Sequence, residues 1–184
     1  IMLAVFMGKV LKKKTAVAGD EVTYSLMLRQ MQKASAIQHK GIASRHAYSM
    51  DGIDYYCGIR DEDIGILRQK YDVIILDISF DNTFDNTNVT FARMVSRLSA
   101  CDEKILAGSM LPWKSRECEK KMERIERFLD IRGLKMVTLA ACDKEAVSII
   151  KKHGVEVVLI PFERNPFIIS GENLRSFLEL LKIT

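Results

Sequence analysis

The sequence predicts an α/β fold: a mostly parallel sheet with helices on both faces. Three observations lead there. Short runs of β-branched and aliphatic residues, such as Val73 to Leu76, alternate with longer stretches of helical periodicity. These runs are apolar at consecutive positions, as strands buried on both faces are. No internal repeat, low-complexity tract or linker breaks the alternation, so all 184 residues read as a single domain.

The elements follow in order. Residues 1–13 read as a helix, closed by Lys12, Lys13 and Lys14, whose charges suit the negative end of a helix dipole. Residues 15–19 (TAVAG) read as a short buried strand and 21–35 as a helix with Leu26, Met27, Met31 and Ala34 in register. Residues 36–52 show little periodicity. A strand is expected near 53–57, between Gly52 and Gly58. The helix at 60–70 opens with acids and closes with bases. The most apolar strand, 73–78, ends in Asp77, and 81–90 form a polar loop. A helix at 91–100 follows, then a strand at 104–110, a turn at Leu111–Pro112–Trp113 and a charged amphipathic helix at 115–130. Strands at 135–141 and 155–161 enclose a helix at 143–154 that Gly154 stops, and a helix at 172–183 closes the chain.

Composition narrows the function classes. Hydrophobic residues make up 48 % and charged residues 28 %, ordinary for a folded domain. No apolar run approaches the roughly 20 residues of a membrane span. The apolar-then-basic opening has the reverse order of a secretory signal, so a cytoplasmic protein is expected. The initial isoleucine suggests a trimmed or partial chain. Cys57, Cys101, Cys118 and Cys142 form no CxxC pair, and His39, His46 and His153 have no ligand spacing, so reduced thiols are expected and a zinc site is not. Net charge is +4, with eight Lys or Arg in residues 1–50 against Asp20 and Glu21. Specific nucleic-acid recognition is not expected from this bias, although contact with an acidic membrane surface is compatible with it.

In an open α/β sheet, ligands bind beyond the carboxyl ends of the strands. The polar residues there are Asp20 and Glu21, Asp77, Ser79 and Asp81, Ser109, Cys142 and Asp143, and the segment after Pro161. An acid after an apolar strand serves either as a helix N-cap or at a phosphate-metal site, and Asp77 is open to both readings. Trp113, the only tryptophan, is either a partner anchor or a half-buried packing residue.

The order of these pieces is more specific than any one of them. "KKKTAVAGDE", "YDVIILD", "KILAGSMLPWKSRE" and "GVEVVLIPFERNPF" occur in that sequence, with "IDYY", "PWK" and "IPF" among them. This order resembles the ParA/MinD-type P-loop ATPases, of the SIMIBI class, including the pilus-localisation branch called TadZ or CpaE and small ParA-like proteins of Firmicutes. The resemblance implies a P-loop NTPase-like fold that, when intact, uses ATP and Mg²⁺. It implies that Asp77 is the Walker B-like acid, which reaches Mg²⁺ through water. Asp20 matches loosely the acid that arranges attacking water. Pro161, Phe162, Glu163 and Asn165 match the segment on the adenine side.

The family's phosphate loop lies between a first strand and the first helix. Residues 1–13 match that helix, which puts the loop and its strand ahead of Ile1. No Gly-Lys-Ser or Gly-Lys-Thr occurs in the sequence; the Gly8–Lys9 pair lies inside a helical pattern. The chain as given is therefore expected to bind ATP weakly, and the sheet to show a gap or a substitute strand beside Asp77. Three functions compete: a localisation or assembly scaffold without efficient hydrolysis, a nucleotide-dependent switch, and a receiver-like phosphoacceptor with Asp77 as acceptor. The first two imply a protein partner or a homodimer, with Trp113 at the interface.

Overall fold

The computed structural model describes residues 1–19, 35–37, 42, 46–78, 89–109, 111–130, 134–139 and 144–183. Of the expected helix at 21–35, all but Ser35 lies outside these residues, and Ser35 begins a strand instead; Asp20, Ser79, Asp81, Cys142 and Asp143 also lie outside. The chain divides into two compact units, residues 1–83 with 165–169 and residues 84–164 with 170–184.

The first unit begins with a single α-helical turn, α1 (Met2–Val5), that widens into a π-helical segment, Phe6–Val10. The Leu11 N–H donates to the Phe6 carbonyl at 3.1 Å, five residues back. The helix thus ends before the lysines. Lys12 turns the chain in a left-handed conformation, with φ of 54°, so Lys12–Lys14 lead into the strand rather than ending the helix. Gly8 permits close approach here, because a Cβ would meet Ile53 Cγ1 at 2.9 Å.

The sheet of this unit contains β1 (Thr15–Gly19), β2 (Ser35–Ala36), β3 (His46–Met50), β4 (Ile53–Cys57) and β5 (Val73–Asp77), in the order β2-β3-β4-β1-β5. β1 pairs in parallel with β4 and β5, whereas β3 runs antiparallel to β4 and β2 antiparallel to β3. The stretch read as aperiodic thus supplies an antiparallel margin. Asp51 and Gly52, with φ of 55° and 77°, make the two-residue turn between β3 and β4.

Both faces of this sheet are covered. Val17, Ile53 and Tyr55 pack with Ala4 and Val5 of α1, and Phe167 and Ile169 join them. Ala16, Ala18 and Tyr56 point the other way and pack with Leu67 and Ile64 of α2 (Asp61–Lys70). The small alanines of β1 let the helix sit close, and β1 is buried along its whole length. α2 has the expected charge order, Asp61 to Asp63 first and Arg68 and Lys70 last. The buried Asp63 accepts from the Arg60 N–H at 3.1 Å.

β5 departs from expectation. Val73 to Leu76 are only half-buried, although they read as buried on both faces. The cause is position: β5 stands at the end of the strand order, with β1 on one side. The Val73 N–H donates to the Lys14 carbonyl, so Val73, Ile75 and Asp77 turn their peptide groups toward β1. Ile74 and Leu76 turn theirs away from β1.

The second unit holds β6 (Ile105–Ala107), β7 (Lys135–Leu139) and β8 (Glu156–Ile160), parallel and in that order. Its helices are α3 (Val89–Ser99), α4 (Pro112–Glu126), α5 (Lys144–Lys152) and α6 (Gly171–Leu181). Cys118, Met122 and Ile125 of α4 are buried at helical spacing, as are Asn173, Phe177 and Leu180 of α6. A Cβ on Gly108 would meet Met136 Cε at 2.5 Å and Cys118 Sγ at 2.8 Å. Along β8, the Ser176 hydroxyl donates to the Leu159 carbonyl at 3.0 Å and occupies an outer acceptor. No helix among the described residues is long and apolar enough to cross a membrane.

Candidate functional site

The three parallel strands of the first unit end level with one another. Gly19 of β1 stands opposite Cys57 of β4 on one side and opposite Asp77 of β5 on the other. The Gly58 N–H donates to the Gly19 carbonyl at 2.9 Å and ties off that edge. Asp77 is exposed there, the polar terminus of an otherwise apolar strand. Asp20 follows Gly19 directly in sequence and lies outside the described residues.

The amino nitrogen of Ile1 feels the charge of Asp77. It is buried, which lowers its pKa below the ordinary value, and the negative charge of Asp77 partly opposes that shift. The start of α1 and the tip of β5 are therefore within electrostatic reach of each other. An exposed carboxylate at a strand end can hold a hydrated divalent cation through water. Among the described residues, no group of three or more His, Cys, Asp or Glu could enclose a metal directly.

The remaining candidates divide between the units. Pro161, Phe162 and Glu163 follow β8 in the second unit, whereas Asn165 belongs to the short segment counted with the first. Among the described residues, Phe162 is the most exposed large apolar one, at 77 %. Asn165 shapes its own turn, with Oδ1 accepting from the Phe167 N–H at 3.1 Å and its carbonyl from the Ile168 N–H at 3.0 Å. Trp113 does not sit in a turn. α4 starts at Pro112, a residue preorganised for a first helical position, so Trp113 lies in the first turn of that helix. Its side chain is outside the described residues.

Two polar arrangements were not legible as candidates. The Tyr71 hydroxyl donates to Asp54 Oδ2 at 2.5 Å and lies 2.6 Å from the Tyr56 hydroxyl. Lys14 stands 5.1 Å from the centre of the Tyr71 ring. Burial first, then the bond to Asp54, drives the Tyr71 pKa far up. At the start of α6, Ser170 Oγ accepts from both the backbone and side-chain nitrogens of Asn173, at 3.2 and 3.0 Å. The Ser170-x-x-Asn173 spacing ahead of an apolar run was the available signal for that cap.

Two solved structures align with the entire chain. One is the MinC:MinD cell division protein complex of Aquifex aeolicus, with a TM-score of 0.65, 12 % identity and 90 % of that chain covered. The other is the MinD cell division protein of the same organism, with a TM-score of 0.62, 12 % identity and 91 % covered. The chain has a MinD-like fold. Sequence gives no parallel evidence: no family model matches and no curated protein matches. The MinD-like fold is an α/β fold of the P-loop NTPase kind. Within it, Asp77 sits at the carboxyl end of β5, a parallel strand that is last in the strand order of its sheet.

Proposed function

We propose that the chain is the core of a ParA/MinD-like protein, of the TadZ/CpaE or small ParA-like kind. In this reading it acts as a cytoplasmic localisation or assembly scaffold with little ATP hydrolysis. The observation that carries this is the exposed carboxylate of Asp77 at the level carboxyl ends of parallel strands in a MinD-like fold. Asp77 fits a carboxylate that holds Mg²⁺ through water. It cannot replace the lysine and backbone N–H groups that grip phosphates, from which most P-loop affinity comes. Pro161, Phe162, Glu163 and Asn165 would take the adenine side, and Asp20 has at most a weak part in positioning water. A partner protein or a second copy would dock near Trp113 and Phe162. Titration calorimetry with Mg-ATP tests the reading. No heat is expected at micromolar protein, and a micromolar Kd for the chain as given would overturn it.

A second reading, an active ATPase switch, is favoured by the far side of β5, which pairs with no strand among the described residues of the first unit. A parallel strand added there would pair with Ile74 and Leu76 and end level with Asp77. A loop from that strand to Ile1 would then pass beside the carboxylate, where a phosphate loop belongs. Calorimetry on a chain extended by its native upstream residues separates the readings. Mg-ATP binding that Asp77→Asn weakens at least tenfold, together with steady hydrolysis, supports the switch. Binding without turnover supports the scaffold.

A further inference from the structure

We draw no further inference here: the strongest candidate, the polar cleft of the second unit lined by Asp102, Glu103, Lys104, Asp130, Lys135 and Lys182, has a wall of balanced charge in which the buried Lys135 already pairs with Glu103 at 2.8 Å and Lys182 with Glu156 at 3.2 Å, and no observation points to a ligand.

Discussion

Asp77 and Ile1 share one electrostatic environment: the carboxylate at the tip of β5 raises the proton affinity of an amino nitrogen that burial otherwise lowers. Replacing Asp77 by Asn removes the opposing charge and should lower the amino pKa further. Between that lowered value and the ordinary value of about 8, the unfolded amine binds more protons than the folded one. For the chain that begins at Ile1, this group makes stability rise with pH through that window. Titration of the amino group by NMR after reductive methylation checks the shift. An identical pKa in Asp77→Asn would separate the two groups.

The Asp54–Tyr71–Tyr56 chain should behave as a coupled unit. Tyr71→Phe leaves a carboxylate oxygen and a phenol without their shared partner, and should cost about 1–3 kcal/mol. Tyr56→Phe should cost less in the Tyr71→Phe background than alone, as urea melts of the four-member cycle would reveal. Additive losses would mean that the hydroxyls act independently.

Alkali should loosen the first unit. Burial, and secondarily the charge of Asp51, pushes Tyr55 up to about 12. Tyr56 and Tyr71 are also raised, chiefly by burial. Folded phenols that hold their protons stabilise the fold below the unfolded value of about 10, and that stability is lost as pH rises through the folded values. Ultraviolet titration should therefore show these phenolates forming together with loss of near-ultraviolet circular dichroism above about pH 10. Full ionisation near pH 10 with tertiary structure intact would contradict the burial.

Gly108 should not accept a methyl group. Gly108→Ala would press on Met136 and Cys118 and should destabilise the second unit by about 1–3 kcal/mol. Met136 Cε can move; the short Cys118 side chain has less freedom. Cys118→Ala in the same chain should return part of the loss, measured by thermal melts. A neutral Gly108→Ala would mean that the end of β6 yields easily.

Phe162 and Trp113 test the proposed docking surface. Phe162→Ala removes an exposed ring and should change stability by no more than about 0.5 kcal/mol. Trp113→Ala should weaken self-association or partner capture by about 1–2 kcal/mol. Analytical ultracentrifugation and melting curves on both variants give the answer. A Trp113→Ala chain that loses about 3–5 kcal/mol of stability with unchanged association would place the ring in the core.

Much of the first unit's parallel core was legible because burial writes itself into composition. The bounds of β1 and β4 and the acid-to-base order of α2 follow from local residues alone. Val73 to Leu76 announced a strand buried on both faces, but side chains cannot state where in the strand order it falls. The β3–β4 hairpin carried its signal in Asp51–Gly52, between "HAYSM" and "IDYYC", and the absence of helical periodicity masked it. The first helix ended early because lysines favour a helix end without fixing where it falls; the π-helical turn and Lys12 fixed it. Asp77 was readable as a candidate, since an acid interrupting an apolar run is conspicuous. Its neighbour Ile1 was not, since an apolar residue gives no hint of what its backbone nitrogen meets.

The two-residue turn at Asp51–Gly52 also orders events in time. β3 and β4 are joined by the shortest common hairpin connection, so they can meet on the microsecond scale typical of isolated hairpins. Thr15, by contrast, must find Ile53 and Val73 across long stretches of chain before β1 is flanked on both sides. Loop closure of that length precedes any reward from burial and slows folding. The antiparallel margin, peripheral in the finished sheet, is thus the part of it that can exist first, and β4 enters the parallel core already carrying a partner.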